Sequence, residues 1–221
     1  YFLLTLIEAL LHTNAVLYIL DPKNSDLADL GTVMPNVYHT KEEMIDCVNA
    51  FYEGMVQRSE EMKRHPNYKT GENYAYLGLP PCFLIFDEYV AFFEMLGTKE
   101  SVSLVSQLKK IVMLGRQAGY FLIVACQRPD AKYFSDGIRD NFNFRVGLGR
   151  ISELGYGMLF GSDVKKQFFQ KRIKGRGYCD VGTSVISEIY TPLVPKGHDF
   201  LQTIGRLAQD RQVMPEQQEK E

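Results

Sequence analysis

Residues 82–88 read CFLIFDE: an unbroken apolar run that stops at two adjacent carboxylates. A short continuous apolar run fits a strand buried on both faces, the kind found in parallel sheets. Two segments elsewhere repeat the design. Ala15–Leu20 (AVLYIL) stops at Asp21-Pro22, and Tyr120–Cys126 (YFLIVAC) stops at Gln127. Phe144–Leu148 is a candidate fourth strand. Helical patterns alternate with these runs. Tyr1–His12 is apolar at nearly every position, Lys41–Arg64 carries a stripe of Met44, Val48, Phe51 and Met55, and Ser101–Gly115 carries Leu104, Leu108, Ile111 and Val112 on one face. His65–Pro81, rich in Gly, Pro, Asn and Tyr, reads as a loop. Strands alternating with helices predict an α/β domain, mainly a parallel sheet with helices on both faces.

Composition agrees with one large globular domain: 221 residues, 45% hydrophobic and 24% charged. We expect the core to occupy residues 1–208 and a Gln/Glu-rich polar tail or linker to occupy 209–221. The net charge of −2 gives no hint of nucleic-acid binding, so any phosphate contact needs a local cluster of Lys and Arg. Cys47, Cys82, Cys126 and Cys179 form no CxxC pair and read as buried reduced thiols. His12, His39, His65 and His198 are scattered and give no metal-ligand spacing. The longest apolar stretch, Phe2–Leu11, is too short to span a bilayer. The chain starts at Tyr1 instead of Met, which reads as a piece of a longer protein.

Asp21, Asp87-Glu88 and Gln127 each follow a strand, so all of them reach one rim of the sheet. In open α/β sheets, ligands sit in the crevice beyond the carboxyl ends of the strands. An apolar strand ending in Asp-Glu has the form of a Walker B element. Mg²⁺ prefers oxygen ligands and keeps its waters, so a strand-tip carboxylate suits it beside nucleotide phosphates. Asp87 is the candidate Mg²⁺ ligand, and Glu88 the group that orients or deprotonates the attacking water. An ordinary strand-to-helix turn with two acids would look the same in isolation.

The stretches FLIFDEYVAFFEML and LGRQAGYFLIVACQRPD resemble the motor domain of FtsK/SpoIIIE-family DNA translocases. Leu20-Asp21-Pro22-Lys23 resembles that family's DPK segment, Arg139–Arg145 (RDNFNFR) the run after its QRP motif, and Lys174–Tyr178 (KGRGY) its late Gly-x-Gly turn. The resemblance covers most of residues 1–195 and implies a RecA-like P-loop NTPase core that uses ATP and Mg²⁺. It implies a catalytic role for Gln127 as a γ-phosphate sensor and for Arg116 as a finger reaching a neighbouring subunit's site. Arg116 also suits a helix C-terminus near Gly119. Asp21, Lys23, Gly175 and Gly177 join Asp87 as candidate nucleotide-binding residues. Lys23 equally suits DNA, a neighbouring subunit or the plain surface. Arg128 and Pro129 are expected to shape the turn. No GxxxxGK[ST] is present. The resemblance places that P-loop just before Tyr1 and implies that these residues alone bind ATP weakly and hydrolyse almost none.

The resemblance further implies a ring, a hexamer, around double-stranded DNA, in a cytoplasmic motor whose parent is anchored in a bacterial membrane outside this stretch. Candidate DNA contacts are Lys63, Arg64 and Lys69, and Lys99. Lys165, Lys166, Lys171, Arg172, Lys174 and Arg176, with Phe168 and Phe169 among them, read either as a solvated face over a buried Phe pair or as an interface or DNA surface. The residues after DPK and the lack of a recognisable winged helix favour a conjugative coupling protein similar to TcpA. A chromosomal FtsK or SpoIIIE, an EssC-like secretion ATPase and a non-catalytic scaffold are the alternatives.

Overall fold

The computed structural model describes residues 1–127, 136–139, 141–161, 164, 167–168, 173–183 and 185–213. In chain order the elements are α1 (Phe2–Leu11), β1 (Val16–Leu20), β2 (Val37–Tyr38), α2 (Lys41–Arg64), β3 (Cys82–Phe86), α3 (Tyr89–Glu94), α4 (Thr98–Ala118), β4 (Tyr120–Val124), α5 (Asp136–Arg139), β5 (Arg145–Leu148), α6 (Glu153–Phe160), β6 (Arg176–Asp180), β7 (Ile186–Tyr190) and α7 (Phe200–Val213). They form two compact units. The first is built from Leu3–Ala125 and the chain from Lys196 onward, the second from Cys126–Pro195.

The first unit holds a parallel sheet of order β2-β1-β3-β4. Successive residues of a strand point to opposite faces, and both faces are covered. Leu17, Ile19 and Ile85 pack with Leu4, Ile7 and Leu11 of α1 and Ile204 and Ala208 of α7. Tyr18 instead meets Phe51 of α2, which also meets Tyr120, both edge-on at ring distances of 5.4 and 4.8 Å. This two-sided burial explains why the strands are apolar without alternation.

Local signals set the helix ends. Thr40 and Glu43 form a capping box at the start of α2, and hydrogen bonding to Thr40 lowers the pKa of Glu43. Glu100 accepts from the Gly97 amide at 2.8 Å and starts α4 a turn earlier than the apolar stripe indicates. Gly119 ends α4 at φ 78°. A Cβ at Gly115 would collide with the Tyr120 carbonyl oxygen, and one at Gly119 would lie 2.5 Å from the Tyr74 ring. Both glycines of Gly-Arg-x-Ala-Gly thus serve the α4-to-β4 turn.

Residues 145–148 form a strand, but not in the parallel sheet. β5 pairs antiparallel with β6, and β6 with β7, in a separate three-stranded sheet of the second unit. The fourth parallel strand is the two-residue β2. In the second unit Tyr156, Phe160, Phe168 and Tyr178 pack together, with the Tyr156 and Phe168 rings stacked at 4.1 Å. Arg145 pairs with Asp180 at 2.5 Å, and Arg139 donates to the Met158 carbonyl at 3.2 Å. The arginines of RDNFNFR are thus built into the unit.

The chain does not turn irregular at Gln209. α7 runs on to Val213, and Arg211 donates to the carbonyls of Leu10, Leu11 and Ala15 at 3.1, 2.9 and 2.7 Å. Those acceptors lie at and just past the C-terminal end of α1, where Leu10 also accepts from the Thr13 amide and hydroxyl at 3.0 and 2.8 Å. Positions 214–221 of the expected tail lie outside the described residues.

Candidate functional site: the carboxyl edge of the parallel sheet

β1 and β3 lie side by side in parallel, with Leu20 opposite Phe86. The backbone ladder continues past them. The Asp87 amide donates to the Leu20 carbonyl at 2.9 Å, and the Ala125 amide to the Phe86 carbonyl at 2.8 Å. Asp21 and Asp87 are therefore neighbours on the rim. From β1 the chain goes first to β2 on one side and then to β3 on the other. The β1–β3 boundary is thus a topological switch point, where open α/β sheets form their ligand crevice.

Asp21 is fully buried, and its carboxylate is occupied by its own loop. Oδ1 accepts from the Lys23 amide at 3.1 Å. Oδ2 accepts from the Ser25 amide at 2.8 Å, the Ser25 hydroxyl at 2.9 Å and the Ala28 amide at 3.1 Å. The Asn24 amide donates to the Asp21 carbonyl at 3.1 Å, and Asn24 sits in the left-handed region at φ 49°. A carboxylate so engaged is a loop anchor. In this structure the carboxylate expected to contact nucleotide accepts one bond on Oδ1 and three on Oδ2, all from its own loop. Ser25, the partner absent from the sequence reading, is signalled by the Asp-x-x-x-Ser spacing in DPKNS.

What the loop presents is Lys23. Its ammonium lies 3.2 Å from the Glu88 Oε2, with the Lys23 side chain 45% exposed and that of Glu88 13%. Glu88 has φ 46° and ψ 56°, a left-handed conformation that disfavours side chains other than glycine. Its neighbours impose it. The Asp87 amide is pinned to Leu20 beside it, and the Tyr89 amide donates to the Ala125 carbonyl at 3.2 Å on the other side. The peptide between them is turned out at the tip of β3, just before α3.

Asp87 is half-buried, and its pKa is raised. Burial is the leading cause, followed by the nearby Asp21 and Glu88 carboxylates, against which Lys23 acts in the lowering direction. A carboxylate held in excess negative charge suits a divalent cation. Among the described residues no group of three or more His, Cys, Asp or Glu is placed to hold a metal by itself.

Other candidates of the first unit lie elsewhere in it. Arg116 is exposed in the last turn of α4. α4 ends where β4 begins, so Arg116 lies at the edge opposite Glu88, roughly 13–17 Å away along a five-residue strand. Arg58 donates to the carbonyls of Pro80 and Ala118, which precede β3 and β4, and so marks the same far edge near the end of α2. Lys63 and Arg64 follow there, exposed, and Lys69 is exposed in the loop beyond. Lys99, exposed in the first turn of α4, is at the other end of that helix. The four candidate DNA contacts do not form one patch.

Gln127 is exposed and belongs to the second unit, three residues past β4. Gly175 has φ 76° in the turn before β6, and a Cβ on Gly177 would collide with the Gly147 carbonyl oxygen. The fold itself accounts for both glycines. Arg176 lies over the Tyr190 ring at 4.8 Å. Arg128, Pro129, Lys165, Lys166, Phe169, Lys171 and Arg172 fall outside the described residues. Among the described residues no helix is long and apolar enough to cross a membrane.

No family model matches the chain. It is 56% identical over 205 residues to the FtsK domain-containing protein YdcQ of Bacillus subtilis (strain 168), an alignment covering 92% of this chain and 42% of that protein. The chain thus spans less than half the length of this relative. Among solved structures it resembles the pCW3 conjugation coupling protein TcpA, in monomer form with ATPγS (TM-score 0.69, 18% identity, 93% of this chain and 59% of that one). It also resembles ATPases 2 and 3 of EssC from Geobacillus thermodenitrificans (TM-score 0.67, 18% identity, 96% and 42%). A third likeness is the cytoplasmic domain of the type VII secretion ATPase EccC of Thermomonospora curvata (TM-score 0.62, 17% identity, 93% and 26%). The parallel α/β core, the Asp-Glu pair at its switch point and 56% identity to an FtsK domain-containing protein over 92% of this chain together mark the chain as FtsK-like.

Proposed function

We propose that this domain carries the Walker B half of an ATP-hydrolysing motor that moves double-stranded DNA, in conjugative transfer. The observation behind the reading is the placement of Asp87 and Glu88 at the β1–β3 switch point, with Lys23 on Glu88 and Asp87 in a negatively charged, half-buried setting. Asp87 would hold Mg²⁺ and Glu88 would orient and deprotonate the attacking water. Bound Mg²⁺ supplies charge neutralisation at the phosphates. Gln127 is the proposed γ-phosphate sensor. Arg116 is at the far edge from its own Glu88, which favours action on a neighbouring subunit in a ring, a hexamer. Arginine fingers of this kind contribute roughly 10³–10⁵ in rate. The phosphate cradle comes from outside these residues, which contain no GxxxxGK[ST]. Lys63, Arg64, Lys69 and Lys99 are the proposed backbone-phosphate contacts, and the whole protein is proposed to act at a bacterial membrane.

A second reading, an EssC-like ATPase that moves protein, draws support from the TM-score of 0.67 to EssC, close to the 0.69 to TcpA. ATP hydrolysis by the full-length protein, with and without duplex DNA, separates the two. The DNA-motor reading expects duplex DNA to stimulate hydrolysis and Glu88→Gln to abolish it. No stimulation by duplex, with Glu88→Gln still inactivating, would favour the protein-moving reading. Activity unchanged in Glu88→Gln would refute both.

A further inference from the structure

We propose that Lys23 is the positioning residue of Glu88: its ammonium fixes the Glu88 carboxylate for water activation and does not bind nucleotide itself. The inference rests on the catalytic reading of Glu88 given above. Two halves of one arrangement carry it. On the β3 side, the backbone on both flanks of Glu88 is bonded, to the end of β1 and to the residue just after β4, which holds the peptide at φ 46°. A residue kept in this region persists only where its surroundings over-determine it. Backbone pinning fixes where the side chain starts, not where its carboxylate ends. On the β1 side, the buried Asp21 carboxylate gathers the Lys23 amide, both donors of Ser25 and the Ala28 amide into one rigid turn. Lys23 leaves that turn and closes the 3.2 Å contact to Glu88 Oε2.

The pair joins residues 65 positions apart in sequence and bridges the two strands that flank the crevice. The Lys23 ammonium also acts as a counter-charge on Asp87 at an edge bearing Asp21, Asp87 and Glu88. Removing the ammonium takes away the contact that holds Glu88 Oε2 toward β1. Misplacing a catalytic group by about 1 Å costs up to roughly 10²-fold in rate.

The test is steady-state ATP hydrolysis by the full-length protein and its variants Lys23→Ala, Lys23→Arg, Glu88→Gln and the Lys23→Ala/Glu88→Gln double variant, with ATPγS affinity measured for each. Lys23→Ala is expected to lower kcat roughly 10–100-fold with KM for ATP and ATPγS affinity changed less than about threefold. Lys23→Arg should recover much of the loss. In the Glu88→Gln background, Lys23→Ala should cause no further loss. Lys23→Ala with wild-type kcat overturns the proposal. So does a tenfold weaker ATPγS affinity that persists in the Glu88→Gln background, since Lys23 would then contact nucleotide. Wild-type activity in Glu88→Gln instead overturns the catalytic reading itself, so the two failures are told apart. A melting temperature within about 2 °C of wild type confirms that Lys23→Ala, a change on a half-exposed side chain, leaves the fold intact.

Discussion

Asp21→Ala separates a loop anchor from a nucleotide ligand. The wild-type carboxylate is fully buried and accepts four hydrogen bonds, three from backbone amides and one from the Ser25 hydroxyl. Each buried donor left without a partner costs about 1–3 kcal/mol. The donors are not independent, because the loop relaxes and admits water, so the sum is not realised in full. A net loss of roughly 3–5 kcal/mol follows, the range for breaking a buried charged hydrogen-bond network. In a domain of this size each kcal/mol lowers Tm by about 2–4 °C, so the drop should be roughly 6–20 °C. Ser25→Ala keeps the amide bond to Asp21 and loses only the hydroxyl, for about 1 kcal/mol. Scanning calorimetry of wild type, Ser25→Ala and Asp21→Ala, with ATPγS titrations alongside, reads both effects. A Tm for Asp21→Ala within about 2 °C of wild type, with ATPγS binding weakened tenfold, would refute the anchor assignment.

Three further outcomes are expected. Asp87→Asn should raise Tm while abolishing hydrolysis: the folded pKa of Asp87 lies above its unfolded value, so its ionisation counts against folding above the ordinary carboxylate range. The advantage of Asn over Asp should therefore shrink as pH falls through the raised folded pKa and vanish below about 4, and a constant or reversed difference in melting would contradict the sign. Arg211→Ala should cost about 1–2 kcal/mol by releasing the carbonyls of Leu11 and Ala15, since Leu10 keeps the Thr13 amide and hydroxyl, visible as a lower denaturation midpoint, whereas an unchanged midpoint would show that water replaces the guanidinium freely. Mixing full-length Arg116→Ala with full-length Glu88→Gln should restore part of the ATPase activity that each lacks, because a site shared between subunits regains one intact copy, and no recovery would argue against action in trans.

The parallel sheet was legible because burial on both faces demands continuous apolar runs, and AVLYIL, CFLIF and YFLIVAC have few other uses. β2 was not, since two residues leave no pattern. The antiparallel sheet escaped for a different reason. RGYCD and ISEIY carry Arg, Asp and Glu, and part of β7 is exposed, so neither shows an apolar run. α7 was hidden by its Gln and Arg content, yet Arg211 is a main tie to α1. At the site, the Asp87-Glu88 pair was visible as chemistry, but the left-handed backbone of Glu88 is imposed by β1 and the segment after β4, which no local pattern records. Asp21 illustrates the same limit: the loop it gathers through four donors leaves no mark in its own letter.

The central claim is that hydrolysis at Glu88 drives movement along duplex DNA, and displacement of a third strand from a triplex placed downstream on linear DNA measures it directly. The full-length protein should release the third strand in an ATP-dependent time course, and Glu88→Gln should release none. Vigorous ATP hydrolysis with no third-strand release, under conditions where duplex binding is saturated, would contradict the account.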